Sequence, residues 1–198
     1  PANGVTSESV TVEVTDGQAI DSQTFTVTVT AVNDAPEITE VSATIDTDED
    51  NTGSVILNAT DVDGDTITWS IAANGTNGSA VVSGTGASQT INYTPNANFN
   101  GADSFTVQVS DNQATDTLVV NVTVNAANDA PVITSESVTT ATEDEAYGYT
   151  VTASDVDDDT LEFSLTVAPE GMSIDSVTGV ISWTPENGVT SETVTVQV

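Results

Sequence analysis

The sequence predicts an all-β protein built from tandem antiparallel β-sandwiches. Five segments alternate apolar with polar residues, and β-branched side chains with a period of two are typical of strands that have one buried face. Clusters of Gly, Asn and Asp separate these segments, and turn signals about every 8–12 residues are typical of sandwiches. No stretch carries an apolar stripe of helical period. The five segments are residues 10–14, 25–29, 105–109, 120–124 and 194–198.

Composition excludes several classes of partner. The chain has 198 residues, of which 31 are acidic and none is Lys, Arg or His, so its formal charge is −31. Without cationic side chains it cannot displace the counterions of nucleic acid or bind anionic lipid through a basic patch. No apolar run approaches the roughly 18 residues of a membrane span. We therefore expect no nucleic-acid partner and no membrane insertion in this segment.

Composition also disfavours catalysis. The chain lacks Cys, His and Lys, the residues that most often serve as nucleophile or base, and without Cys it can form neither disulfides nor thiolate metal sites. Paired carboxylates could support glycoside hydrolysis. However, the acidic residues cluster at the ends of the predicted domains and recur from domain to domain, which suits a structural role. We expect a protein that is not an enzyme.

The large negative charge must be balanced without ion pairs. The carboxylates can stay solvated and screened by salt, or they can be bridged by cations such as Ca²⁺. A complete absence of basic residues therefore favours a salty, calcium-containing environment outside the cell.

An internal repeat sets the domain boundaries. Residues 9–36 match residues 104–131 without a gap at an offset of 95, and both copies end in Asn-Asp-Ala-Pro. A second shared block begins at Asp61 and again at Asp155, an offset of 94. Repetition at a fixed period indicates tandem structural units. The predicted domains are the final strands of one domain in residues 1–35, a complete domain in residues 36–130, and a domain without its final strands in residues 131–198.

A longer period relates the first and last segments. Residues 185–198 repeat residues 1–14 with 11 of 14 positions identical. The hairpin that would complete the last domain is of the kind encoded by residues 15–35. Two interpretations remain open: the sequence is a window on a longer polypeptide of alternating domains, or copies assemble head to tail by strand complementation.

Three short motifs recur at the domain ends. They are Asn-Ala-Thr-Asp-Val-Asp, which ends at Asp63, a Thr-Asp-Gly or Ser-Asp-Asn turn beside an alternating strand, and Asn-Asp-Ala-Pro. Together they resemble the bacterial cadherin-like and Ig-like repeats of giant secreted, calcium-dependent adhesins. The segment from Tyr93 to Phe105 is similar to the VCBS-type variant, and the flanking domain is similar to the family named Putative Ig. The resemblance implies secretion to the bacterial cell surface, with neighbouring repeats of the same polypeptide or head-to-tail copies as partners.

The resemblance further implies Ca²⁺ at the domain junctions. Ca²⁺ prefers six to eight oxygen ligands, and two carboxylates spaced as in Asp61-x-Asp63 can converge on one ion at a strand end. Asp111 follows an alternating strand and would be a further ligand. At the second junction the corresponding strand-end partner would lie beyond Val198. Carried over by motif, the ligands are Asn33, Asp34, Asp61, Asp63 and Asp111 at the first junction and Asn128, Asp129, Asp155 and Asp157 at the second.

Three more acidic residues are weaker candidates for metal ligands. Asp16 occupies the turn that corresponds to Asp111, while Glu49 and Glu143 lie in acidic patches that resemble the early Glu of cadherins. The Asp-x-Glu motif that usually accompanies this Glu is missing, so the resemblance implies fewer ions per junction than in animal cadherins.

Both the motifs and the function have a second interpretation. Asp-rich turns are commonly solvated loops in which the side chain bonds the nearby backbone. The function is either a calcium-rigidified extender that holds an adhesive module away from a bacterial surface, or a carbohydrate-binding cadherin-like module. Trp69 and Trp183 alternate with Ile residues and are expected to face the core, which favours the extender. An exposed strip of aromatic side chains would favour carbohydrate binding.

Overall fold

The computed structural model describes residues 6–198, and within that range the chain forms strands and loops without a helix. The all-β class predicted from the sequence is confirmed. Contacts divide the chain into two compact units, one ending at Ala127 and one from Asn128 to Val198. None of the described segments forms a helix that is long and apolar enough to cross a membrane.

The first unit contains a hairpin and a sandwich. The hairpin consists of β1 (Ser7–Thr15) and β2 (Ile20–Thr28), which pair in antiparallel fashion. The sandwich strands are β3 (Glu37–Ile38), β4 (Ala43–Asp48), β5 (Gly53–Thr60), β6 (Thr68–Ala73), β7 (Gly78–Val81), β8 (Gly84–Thr85), β9 (Ser88–Pro95), β10 (Gly101–Ser110) and β11 (Thr115–Asn125).

Two sheets face each other in this sandwich. One has the strand order β4-β11-β10-β6-β8 and the other the order β3-β5-β9-β7. Neighbouring strands are antiparallel except β4 and β11, which run parallel over six residue pairs. The sandwich is thus antiparallel, as predicted, apart from this one parallel pair. After β3 pairs in the opposite sheet, the chain crosses over, so that β4 runs alongside the last strand in the same direction.

Two of the alternating segments, residues 105–109 and 120–124, supply much of the core of the sandwich, as predicted. On β10, Phe105, Val107 and Val109 are buried while the intervening residues are more exposed. Trp69 is also buried, and its Nε1 donates a hydrogen bond to the Gly86 carbonyl oxygen at 2.8 Å. The expectation that Trp69 faces the core is confirmed. The rings of Phe105 and Tyr93 stack with their centroids 5.7 Å apart.

The β1–β2 hairpin departs from the sequence prediction. Residues 10–14 and 25–29 were expected to be half-buried, and both do lie in or next to strands of the hairpin. However, every residue of β1 and β2 is exposed. The reason is that this two-stranded sheet pairs with no other strand of the described chain, so its apolar face has no second layer to pack against.

The second unit is a smaller set of sheets. Val151, Phe163 and Ile181 form its buried centre. Trp183 was expected in the core but is only half-buried, and its Nε1 donates a hydrogen bond to the Glu170 carbonyl oxygen at 3.2 Å. The strand predicted over residues 194–198 is shorter than expected. The strands are β12 (Val132–Ile133), β13 (Tyr147–Thr150), β14 (Ala153–Ser154), β15 (Ser164–Val167), β16 (Ser173–Ile174), β17 (Val180–Trp183) and β18 (Thr195–Gln197).

A hydrogen bond between Tyr93 and Asp103 joins the two sheets of the sandwich. The Tyr93 hydroxyl donates to Asp103 Oδ2 at 2.6 Å, and the backbone N–H of Asn77 donates to the same oxygen at 2.9 Å. Burial opposes ionisation of Asp103, but these bonds and those from the N–H groups of Ser104 and Thr76 outweigh it, so the pKa of Asp103 lies below its ordinary value. Burial and the neighbouring carboxylate raise the pKa of Tyr93.

We predict that Asp103→Asn destabilises the sandwich and weakens its acid sensitivity. Losing hydrogen bonds to a charged acceptor should lower the free energy of unfolding by about 1.5–3 kcal/mol at neutral pH. Since the folded pKa is depressed, the wild-type stabilisation is complete above the ordinary value of 3.8 and is lost as the pH falls through the lower folded pKa. Urea unfolding at neutral pH and below about pH 4 measures both effects.

The matched control is Asp21→Asn, which removes the same charge from an exposed position on β2. It should leave the unfolding of the sandwich unchanged. A pH dependence of Asp103→Asn equal to that of the wild type would contradict the assignment.

Candidate metal centre

Three carboxylates converge at the end of β5. Asp61, Asp63 and Asp65 each offer an oxygen, and these oxygens lie within 4.8 Å of one another. The backbone N–H groups of Asp63 and Asp65 donate to Asp61 Oδ1 at 2.9 and 3.1 Å, so the loop curls around this one carboxylate. Asp61 Oδ2 is buried and accepts no hydrogen bond from any described residue. A buried carboxylate oxygen without a donor is costly unless a cation balances it.

The linker that precedes the sandwich reaches the same loop. The backbone N–H of Asp34 donates to Asp63 Oδ2 at 2.7 Å. This bond fixes the linker on the Asp63 carboxylate, as expected if Asn33 and Asp34 close a site from outside the sandwich. The residues present fit Ca²⁺, because three carboxylates converge and one of their oxygens is buried without a donor.

Asp111 lies in a neighbouring network that reaches the linker through Asn33. Asn33 Nδ2 donates to Asp111 Oδ2 at 2.8 Å, and Gln113 Nε2 donates to Asn33 Oδ1 at 2.7 Å. The backbone N–H of Ala114, the Asn33 amide and the N–H of Gln113 hold the pKa of Asp111 below its ordinary value. The structure thus brings Asp111 to the linker, although its carboxylate is not part of the group formed by Asp61, Asp63 and Asp65.

Asp16 occupies the same turn in the hairpin as Asp111 does in the sandwich. Its Oδ1 accepts from the N–H groups of Gln18 and Ala19, both at 2.9 Å. These bonds lower the pKa of Asp16. The corresponding bonds of Asp111 come from Gln113 and Ala114. The two turns, which correspond in sequence, therefore have the same pair of hydrogen bonds from backbone N–H groups to the Asp side chain.

The second unit repeats the arrangement at its own beginning. The backbone N–H of Asp129 donates to Asp157 Oδ2 at 2.7 Å, and the N–H of Asp157 donates to Asp155 Oδ1 at 2.9 Å. Asn128 Nδ2 donates to the Asp129 carbonyl oxygen at 2.8 Å, as Asn33 does to that of Asp34 at 3.0 Å. The four predicted residues of this junction are thus brought together.

The two Glu candidates differ in their surroundings. Glu49 is fully buried, and its Oε1 accepts from the backbone N–H of Ala127 at 2.8 Å. Glu143 is exposed, and its Oε2 accepts from the N–H of Gly188 at 3.2 Å. Burial of the Glu49 carboxylate next to the last residue of the first unit is the stronger indication of a specific role.

Two residues of the site were missed by the sequence analysis. Asp65 continues the alternation of Asp61 and Asp63, so a third acidic residue at a spacing of two was a usable signal. Gln113 had no such signal, since only the folded turn brings its amide to Asn33.

Each of the two compact units contains a stretch that matches a known family of domains. Residues 33–123 match the family described as "Bacterial Ig domain", and residues 130–198 match the family described as "Putative Ig domain". The chain is a tandem of Ig-like domains. The family resemblance inferred from the motifs is thereby confirmed. Bacterial Ig domains are typically extracellular or at the cell surface. No curated protein has a significantly similar sequence.

Several solved structures are similar to this chain at low sequence identity. Mouse protocadherin-24 EC1-3 is 18% identical over 90% of this chain and 66% of its own, with a TM-score of 0.46. Drosophila N-cadherin EC1-4 is 16% identical over 91% of this chain and 50% of its own, at 0.40. The endo-fucoidan hydrolase MfFcnA4 is 20% identical over 91% of this chain, at 0.42, and the chain spans only 30% of that enzyme. Similarity at this level carries no argument about function.

We predict that the Asp111 network stabilises the sandwich even without divalent cations. In Asp111→Asn, an amide NH₂ group should replace the carboxylate oxygen that accepts from Asn33 Nδ2. Two donors then face each other, so the urea concentration at the midpoint of unfolding in EGTA should fall. Asp16→Asn makes the same change in the equivalent hairpin turn, where no described residue bridges to the sandwich, and should leave that midpoint unchanged. Equal midpoints for the two variants would show that the Asn33 contact contributes nothing.

Proposed function

We propose that this tandem is a non-catalytic, extracellular extender segment of a bacterial surface adhesin or filament, rigidified by Ca²⁺ at its domain junctions. The observation that supports it best is the linker bond at each junction. Asp34 in one unit and Asp129 in the other donate a backbone N–H to the second Asp of an Asp-x-Asp loop at the same distance of 2.7 Å. A cation held by that loop would stiffen the linker attached to it.

The residues proposed to hold the ion divide into loop and linker ligands. At the first junction, Asp61, Asp63 and Asp65 supply loop carboxylates, Asn33 and Asp34 supply linker oxygens, and Asp111 anchors Asn33. Bound Ca²⁺ would supply positive charge that the chain itself does not possess and would relieve the repulsion among the converging carboxylates.

Carbohydrate binding is the weaker candidate for the complete domain. That function calls for exposed aromatic side chains on one sheet. Within the sandwich, Trp69, Tyr93 and Phe105 are buried and Phe99 is half-buried, so the described residues of this domain present no exposed aromatic strip.

We predict that calcium stabilises the fold through the Asp61 loop. Extracellular calcium modules bind at about 10⁻⁴–10⁻³ M, and a hundredfold excess over the dissociation constant stabilises a one-site protein by about 2.7 kcal/mol. The melting temperature should rise along a CaCl₂ series more than along NaCl of equal ionic strength. Asp63→Asn should reduce the calcium-dependent rise, whereas Asp21→Asn, which removes the same charge from the exposed strand β2, should not. Equal shifts in both salts would indicate screening alone.

We also predict that calcium restricts the linkers. The maximum dimension from small-angle X-ray scattering should be sharply defined in millimolar CaCl₂ and broadly distributed in EGTA. Asp63→Asn should free the first linker and Asp157→Asn the second, each without affecting the other. Identical scattering with and without EGTA would overturn the rigidification proposal even if the ion binds.

A further inference from the structure

The two acidic loops that follow β5 and β14 differ at a single position. The first loop, residues 61–65, reads Asp-Val-Asp-Gly-Asp, and the second loop, residues 155–159, reads Asp-Val-Asp-Asp-Asp. Each accepts a backbone N–H from its own linker at 2.7 Å. A difference between the loops in the arrangement of their carboxylates therefore has one internal cause to consider, the replacement of Gly64 by Asp158.

The carboxylates of the first loop converge more closely than those of the second. Oxygens of Asp61, Asp63 and Asp65 lie within 4.8 Å of one another. Among the residues that the structure describes, the second loop forms no such group of three. The first loop therefore presents three carboxylates to a cation, whereas the second brings fewer than three to one point.

The backbone of the first loop is also wound more tightly. In both loops the first Asp accepts through Oδ1 from the N–H two residues ahead, at 2.9 Å. The bond from four residues ahead differs: it is 3.1 Å from Asp65 to Asp61 and 3.4 Å from Asp159 to Asp155. Because this bond draws the third Asp toward the first, its length agrees with the difference in convergence.

A buried oxygen distinguishes the first loop independently of its winding. Asp61 Oδ2 is buried and has no hydrogen-bond donor among the described residues, and Asp155 has no oxygen in this condition. A carboxylate oxygen buried without a donor is costly unless a cation lies near it. This cost favours cation binding by the first loop and does not arise at Asp155.

The residue at the fourth position accounts for the difference. Gly64 and Asp158 both have a left-handed backbone, with φ of 77° and 60°. Glycine adopts this conformation without penalty, whereas a residue with a Cβ atom is disfavoured there. Asp158 also places a further carboxylate between Asp157 and Asp159, and repulsion among these like charges opposes the approach of the third carboxylate. Glycine removes both obstacles.

We propose that the fourth position of each loop sets how many loop carboxylates hold Ca²⁺, three in the first loop and two in the second. This inference rests on the calcium sites proposed above and adds the residue that determines their strength. Asp65 is then a direct ligand, whereas its counterpart Asp159 is not. The affinity of calcium loops depends on the charge and rigidity of their ligands. One substitution therefore adjusts the calcium dependence of one linker without changing the other.

The charge of Asp158 acts in the opposite direction but more weakly. Asp158 is exposed, so its attraction for a cation acts through water. At 0.15 M salt the screening length is about 8 Å. A carboxylate that bonds the ion directly is not screened in this way, so the missing third ligand should outweigh the additional charge at this ionic strength.

The test reads one loop at a time in the whole chain. The double variant Asp155→Asn with Asp157→Asn leaves the first loop to bind, and Asp61→Asn with Asp63→Asn leaves the second. Isothermal titration calorimetry with CaCl₂, in KCl of about 0.15 M, gives the dissociation constant in each background. Circular dichroism in EGTA checks that every variant keeps its strands.

Matched substitutions at the third Asp should have unequal effects. In the first background, Asp65→Asn should raise the dissociation constant about tenfold, since ligand charge tunes calcium affinity over several decades. In the second background, Asp159→Asn makes the same chemical change and should leave the dissociation constant unchanged.

The reciprocal exchange at the fourth position is a second measurement that keeps every ligand carboxylate in place. A Cβ atom at Gly64 would meet no atom within 4 Å, so the variant Gly64→Asp has room for its side chain. It should weaken binding by the first loop, and Asp158→Gly should strengthen binding by the second.

Equal effects of Asp65→Asn and Asp159→Asn, or tighter binding by Gly64→Asp, would overturn this inference while leaving calcium binding itself intact. Absence of calcium binding in both backgrounds would instead overturn the proposed function, and this inference with it.

Discussion

The chain carries 31 acidic side chains and no cationic side chain that could balance their negative charge. Every negative charge has to face water, accept hydrogen bonds from neutral donors, or share a cation. In the structure the neutral donors are mostly backbone N–H groups of tight turns, as at Asp16, Asp111 and Asp175, each of which bonds the N–H groups two and three residues ahead. The turn geometry of both units thus depends on carboxylates being ionised, and the same constraint leaves Asp61 Oδ2 as a place where a cation could act.

Much of the fold could be predicted because period-two patterning is a direct consequence of strand geometry. Strands β10 and β11 and the burial of Trp69 follow from alternation alone. The exposure of the β1–β2 hairpin could not be predicted from alternation. Alternation indicates which face of a strand is apolar, but it does not indicate whether a second sheet covers that face. The parallel pairing of β4 with β11 is also invisible in the sequence, since it depends on the path of the chain between the two sheets.

The candidate site was predictable to the extent that it is encoded locally. Asp61 and Asp63, and the Asn-Asp pair of each linker, come together because each set is close in sequence and the repeat marks both. Gln113 was not predictable, because its contact with Asn33 spans 80 residues and rests on a turn whose Asn112 adopts a positive φ of 77°. Asp103 was also overlooked as a structural residue, since its partner Tyr93 lies on another strand.

The parallel arrangement of β4 and β11 determines how the complete domain responds to force. Strand β4 stands near the beginning of the domain and β11 at its end, so tension applied to the two ends pulls these neighbours in opposite directions along their common axis. The backbone hydrogen bonds over six residue pairs are then loaded together in shear and not opened one after another. Resistance to forced unfolding is governed by the unfolding barrier and not by equilibrium stability, and simultaneous rupture raises that barrier. A domain tied in this way can transmit a pull along a polypeptide without coming apart.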